Sequence, residues 1–202
     1  MPAPVKLRER ARSRRAAAEQ AILDATERLC STRNFGEVTV LDVMDATGLT
    51  RTTFYRYFPD LDQVLIRLLA TVAADLRDAA AQWLASDDPR GQLRVSAGRM
   101  VATFREHGPL IRAFADAAGS GTVVHEAWTG VIDGFVGPTT ERVLRLAADG
   151  RADVAEPAET VRALVLLTER YLTTTFGAPS DVPAATAEAV LVQVWERALA
   201  LR

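Results

Sequence analysis

The stretch from Thr39 to Phe58, TVLDVMDATGLTRTTFYRYF, constrains this chain more than any other. Val40, Val43, Met44 and Thr47 recur at the three-four spacing of a helix face, and Thr39 before them is a good N-cap, so a helix is predicted over Val40 to Thr47. Gly48 then ends it, because a glycine takes up the left-handed conformation of a helix C-terminus without steric cost. Thr50 supplies a second N-cap, and Phe54 with Phe58 makes an i, i+4 apolar pair, which predicts a second helix from Arg51 to Phe58. Two capped helices around so tight a turn form a helix-turn-helix signature.

With Phe54 and Phe58 turned inward, helical geometry puts Thr52, Thr53 and Arg56 on the opposite side, flanked by Tyr55 and Tyr57. Threonine, phenylalanine and tyrosine are mediocre helix formers, so the composition is not that of an ordinary surface helix. Threonine hydroxyls bond phosphates or base edges, arginine pairs with guanine or phosphate, and tyrosine packs on sugar while its OH reaches a phosphate oxygen. The alternative is a solvated helix with incidental threonines.

The run VMDATGLTRTTFYRYFPDLDQVL resembles the DNA-binding signature of the TetR (tetracycline-repressor-like) family. There a hydrophobic-Ala-Gly-hydrophobic-Ser turn leads into a Thr-Phe/Leu-Tyr-x-Tyr/His-Phe recognition helix that lies in the major groove. The resemblance implies that Arg51, Thr52, Thr53, Tyr55, Arg56 and Tyr57 contact double-stranded operator DNA, together with Thr50 at the helix cap, and that Thr39 meets a phosphate. Two positions depart from the pattern. Leu61 stands, between Asp60 and Asp62, where the family usually has a lysine, and Met44 stands where alanine is usual. The first removes a phosphate clamp; the second alters packing.

Charge is distributed unevenly. The net value of -2 would argue against a nucleic-acid partner if it were spread uniformly. Residues 1–15, however, hold Lys6, Arg8, Arg10, Arg12, Arg14 and Arg15 against Glu9 alone, while residues 16–60 have four basic side chains against seven acidic ones. Alanine-rich sequence, prolines near segment ends and little alternation of period two predict an all-α fold. The single cysteine, Cys30, excludes an intramolecular disulfide. Neither a signal peptide nor an apolar run long enough to span a bilayer is visible, so the expected location is cytoplasmic, with no membrane partner.

Three regions are expected: a disordered basic arm over 1–13, a helix-turn-helix domain over 14–60, and a larger helical ligand-binding and dimerisation domain over 61–202. The arm is either a solvated terminus or a tether that follows phosphates. A helix from Arg14 to about Thr32, with Ala18, Ile22, Ala25, Thr26 and Leu29 in one stripe, braces the two short helices, and Phe35 and Val38 close their core. Asp60 caps a long helix that runs to about Asp87 and links the head to the body. Beyond Gly91 two helices are expected, separated at His107, Gly108 and Pro109, and a loop over Gly119 to Gly121 follows them. The next helix, Thr122 to about Ala148, is expected to kink or break around Gly134, Gly137 and Pro138. Two strongly apolar helices, about Ala158 to Phe176 and Pro183 to Leu199, complete the chain and suit a homodimer interface.

From Thr122 to Trp195 the body resembles a subgroup of the same family, the mycobacterial ethionamide-activation repressors, which have a narrow apolar tunnel. Position by position, the resemblance implies that Met100, Phe104, Trp128, Thr139, Thr168 and Trp195 line such a tunnel and bind a small apolar ligand, with Thr168 as polar tether. Val165 stands where that subgroup carries an amide. Each of these residues reads equally as plain core. No catalytic constellation, metal-ligand spacing or cofactor motif is present: His107 and His125 are isolated, and Glu169 with Arg170 suits an ion pair better than an acid-base site. The expected function is a ligand-responsive transcriptional repressor; the alternative is a helical lipid or small-molecule binding protein, or an enzyme, without DNA function.

Overall fold

The computed structural model describes residues 5–119 and 122–202, with side chains over 12–119 and 123–202. Among the described residues there are eight α-helices, one 3-10 turn and no strand. In chain order these are α1 (Val5–Cys30), the 3-10 turn (Phe35–Glu37), α2 (Val40–Thr47), α3 (Arg51–Tyr57), α4 (Leu61–Ala85), α5 (Pro89–Ala118), α6 (Thr122–Ala148), α7 (Pro157–Phe176) and α8 (Ala184–Ala198). By their internal contacts they group into two units, Met1–Leu69 and Ala70–Arg202. The division falls inside α4 rather than at residue 60, because Val64, Leu65, Leu68 and Leu69 are buried in the first unit.

In the first unit α1 packs on α2, and α2 on α3. Ile22, Ala25, Val43 and Phe54 are fully buried there, with Phe35, Val38, Met44 and Phe58 nearly so. Burying Phe54 alone contributes about 2 kcal/mol, which is how a residue of modest helix propensity holds a short helix in place. Cys30, the last residue of α1, is fully buried. The basic segment from Val5 to Ser13 is not a disordered arm but the first turns of α1. After Pro4 it contains no glycine or proline, and Lys, Leu, Arg and Glu propagate a helix well once the stripe from Ile22 onward nucleates it. Residues 1–4 of the expected arm lie outside the described residues.

The second unit is built around α5, which packs against α6, α7 and α8, while α6 packs on α7 and α7 on α8. Its core includes Trp83, Leu93, Val143, Leu146, Val161, Leu164 and Leu199. Two helix breaks that the sequence allowed do not occur. Helix α5 runs through Pro109 and helix α6 through Pro138. For α5 the reason is local: a Cβ at Gly108 would run into the backbone carbonyl of Phe176 at the end of α7, so the glycine permits a close helix approach instead of a turn. In α6, the small residues Gly134 and Gly137 stand before Pro138 and are exposed, where water satisfies backbone groups the proline leaves free. The expected loop at Gly119 to Gly121 lies partly outside the described residues.

Candidate nucleic-acid interface and ligand cavity

The first site is the outer surface of α2 and α3. Thr39 caps α2 in a full capping box: its hydroxyl accepts from the Asp42 N–H at 3.2 Å and donates to Asp42 Oδ2 at 2.6 Å, while the Thr39 N–H donates to the same oxygen at 2.8 Å. Arg33 Nη1 adds a bond to Asp42 Oδ1 at 3.0 Å. The Thr39 side-chain and backbone hydrogen bonds, followed by that of Arg33, hold the Asp42 carboxyl down at about 2. Gly48, at φ 69°, terminates α2 in the left-handed conformation that sequence predicted for it. Thr50 caps α3 by accepting from the Thr53 N–H at 3.2 Å, and the two hydroxyls lie 3.0 Å apart.

These bonds sort seven of the eight residues expected at this surface into two groups, with Tyr57 apart. Arg51, Thr52, Tyr55 and Arg56 are exposed with no structural partner holding them in the interior, whereas the hydroxyls of Thr39, Thr50 and Thr53 serve helix caps. Tyr57 is half-buried, and the Arg15 guanidinium sits over its ring at 5.9 Å, a contact that ties the basic side of α1 to α3. Phe54 meets Phe58 with ring centroids 6.1 Å apart and Tyr55 edge-on at 5.3 Å, so the inward pair fixes the rotation that turns Thr52 and Arg56 outward. Phe58 itself is the extended C-cap rather than the last helical residue, since Pro59 disfavours helical backbone before it. Asp60 caps α4 by accepting from the Gln63 N–H at 2.8 Å. Burial, with Asp60 beside it, pushes the Asp62 carboxyl up. Leu41, 58% exposed beside the cap of α2, is an apolar feature of this surface that the motif did not flag.

The second site is a cavity inside the second unit, about 850 Å³ with its open mouth included. All six residues expected to line a tunnel border it: Met100 and Phe104 from α5, Trp128 and Thr139 from α6, Thr168 from α7 and Trp195 from α8. Their placement follows from packing, because α5 touches each of the other three helices and the cavity opens where large side chains keep them apart. Trp128 stacks on Phe114 at 6.1 Å, and Trp195 packs edge-on against Trp83 at 5.8 Å. The Trp195 indole N–H donates to Thr168 Oγ1 at 2.9 Å, which leaves the threonine proton free to point elsewhere. Leu76, Ala80 and Trp83 of α4 and Ser96 of α5 also border the cavity and were not singled out from the sequence.

Glu169 also borders the cavity, and the expected Glu169–Arg170 ion pair does not form. Consecutive helical residues diverge by about 100°, so Glu169 turns inward and is buried while Arg170 faces outward. Its partner is instead one turn away, where Thr173 Oγ1 donates to Glu169 Oε1 at 3.0 Å. His107 is not isolated either: its Nε2 lies 3.5 Å from Asp75 Oδ2. His125 is exposed. No group of three or more potential metal ligands occurs among the described residues, and no described helix is long and apolar enough to cross a membrane.

Comparison with known proteins accords with both halves. Residues 22–68 match the family described as bacterial regulatory proteins, tetR family, and residues 93–199 match the C-terminal domain of transcriptional regulator EthR. Over 183 residues the chain is 32% identical to the HTH-type transcriptional regulator EthR of Mycobacterium tuberculosis, covering 88% of this chain and 84% of that one. The EthR of Mycolicibacterium smegmatis is 29% identical over 158 residues, 76% of this chain and 72% of that one. Among solved structures, the TetR family regulator PfmR of Thermus thermophilus aligns with a TM-score of 0.73 at 20% identity over 89% of this chain and 97% of that one. A tetR-family regulator of Streptomyces coelicolor aligns at 0.70 with 21% identity, over 92% and 81%. These two likenesses speak to the all-helical fold. The capped reading motif, the all-helical body and the extent of the similarity together place the chain in the TetR family, as a transcriptional regulator similar to EthR and not an enzyme.

Proposed function

We propose that this regulator is a repressor that holds operator DNA as a homodimer and is released by a small, mainly apolar ligand bound in the cavity of the second unit. The observation that supports it best is the division of labour on α3, where Phe54 and Phe58 are buried while Arg51, Thr52, Tyr55 and Arg56 stand exposed. Such a helix offers side chains suited to base edges and phosphates at no cost to its own core.

Dimerisation is supported by α7 and α8. Leu166 and Leu167 of α7 are each 43% exposed and Val190 of α8 is 40% exposed, on helices whose other faces are buried in the protomer. Two-fold pairing through these helices buries that surface and presents two reading heads to a two-fold operator. Coupling runs through α4, whose Leu76, Ala80 and Trp83 border the cavity and whose Val64 and Leu65 are buried in the first unit. A ligand acts only through its difference in affinity between the DNA-bound and released arrangements, and α4 is the element by which that difference reaches the head. A regulator of this kind acts on the cytoplasmic chromosome.

The test combines sedimentation with mobility shift on the DNA flanking the protein's own gene. Wild type is expected to sediment as a dimer at micromolar concentration and to shift that DNA, and an apolar ligand that binds the cavity is expected to release it. A Leu167→Glu variant is expected to sediment as a monomer and to lose the shift. A wild-type monomer with full operator affinity would rule out the dimer, and a bound ligand that leaves the shift unchanged would rule out release.

A further inference from the structure

The cavity has an asymmetry of charge. Of its eighteen lining residues, fourteen are apolar, and the polar ones are Ser96, Thr139, Thr168 and Glu169. Among the described residues Glu169 brings the sole ionisable side chain to the lining, with no lysine, arginine or histidine there. Glu169 is 8% exposed, and its Oε1 accepts a hydrogen bond from the Thr173 hydroxyl. Among the described residues no cationic side chain pairs with it, and Oε2 takes no hydrogen bond. Ser96, 7% exposed on α5, likewise borders the cavity with a hydroxyl that has no hydrogen-bond partner. Buried polar atoms are normally satisfied, and a buried carboxylate with a single donor is costly. Glu169 of α7 and Ser96 of α5 thus offer unbonded oxygens to one mainly apolar space, an arrangement suited to a polar head.

The sign of the head follows from the lining. A carboxylate-headed ligand would meet Glu169 with like charge and no cation to offset it. A neutral hydroxyl or amide head donates a hydrogen bond to the carboxylate but leaves its charge uncompensated. A primary ammonium brings three donors and the opposite charge, enough to satisfy Glu169 Oε2 and Ser96 Oγ together. The Trp128, Trp195, Met100 and Phe104 surfaces receive an aliphatic or aromatic tail. We propose that the cavity selects a lipophilic amine, with Glu169 as counter-charge and Ser96 as second polar contact. The inference rests on the reading of this cavity as the ligand site and narrows its ligand from apolar to amphipathic and cationic.

Isothermal calorimetry on the full-length protein at neutral pH, with n-octylammonium, n-octanol and octanoate, isolates the head group because the tails match. In wild type the ammonium is expected to bind about tenfold more tightly than the alcohol, a desolvated charge pair being worth at least that, with octanoate weakest. Glu169→Gln is expected to bring the ammonium down to the alcohol's affinity without changing the alcohol's, and Ser96→Ala to weaken the ammonium by about threefold. Octanol binding as tightly as octylammonium to wild type would overturn the assignment without recourse to any variant. So would a folded Glu169→Gln protein that keeps wild-type ammonium affinity, or no binding by any of the three. Operator binding is read separately by mobility shift without ligand, so failure of the regulator reading is distinguished from failure of the amine preference.

Discussion

Asp42 joins three parts of the head. It closes the capping box of α2 with Thr39, pairs with Arg33 beyond the end of α1, and lies beside the surface offered to DNA. Its carboxyl, held down at about 2, favours the folded state wherever the unfolded chain would still be ionised. That stabilisation is complete above the ordinary aspartate range and is lost as pH falls from about 4 toward 2. Thermal melts across pH are therefore expected to show Asp42→Asn less stable than wild type at neutral pH, with the gap closing on acidification; a gap independent of pH would contradict the capping role. Thr39, Gly48 and Thr50 were legible in sequence because capping is local chemistry, settled within three or four residues. Glu169 was legible as an oddity but not as to its partner. Its direction depends on helical phase and its surroundings on α5 and α8, neither of which adjoins it in the chain.

Among the elements, α5 departs most from local expectation. Gly108 and Pro109 together read as a turn, since proline in a helix interior costs about 3 kcal/mol. The close approach to the Phe176 carbonyl overrides that preference, and nothing in the local pattern reveals it. Gly108→Ala is expected to destabilise the protein by about 1–3 kcal/mol, because α5 and α7 must separate to admit the methyl group. Denaturant titration with an unchanged midpoint would show that the approach is unimportant. Helices α2, α3, α4, α7 and α8 lie within a few residues of where periodicity put them, each having an apolar face of its own and a cap, proline or acidic run at its ends. Helix α1 begins earlier than its pattern suggests, because a dense basic run has the composition of a disordered terminus. Its early turns still carry six of the ten basic side chains in residues 1–60. Deleting residues 1–13 is expected to reduce the salt dependence of operator binding, by about 0.9 in slope for each phosphate that is no longer neutralised. Filter binding at several salt concentrations with an unchanged slope would remove the segment from the interface.

For the molecule as a whole, an acidic protein must bind a polyanion with little help from net charge. The head contains Asp42, Asp45, Asp60 and Asp62, and Leu61 stands between two of them, so the proposed reading assigns the electrostatic work to Arg51 and Arg56 of α3 and the basic turns of α1. The six cavity residues carried over by resemblance border one space in the body, while the α4 contribution and the charge of that space emerged only once the helices were assembled. Periodicity cannot separate a residue that packs in a core from one that lines a void, because both faces of the choice are apolar. The proposed reading of duplex DNA by α3 depends on its exposed arginines. It is tested most directly by comparing wild type with Arg56→Ala in quantitative footprinting on the DNA flanking the protein's own gene. Wild type is expected to protect two half-sites about one or more helical turns apart, and the variant to bind about 10- to 100-fold more weakly. Protection by Arg56→Ala at wild-type affinity would contradict the account.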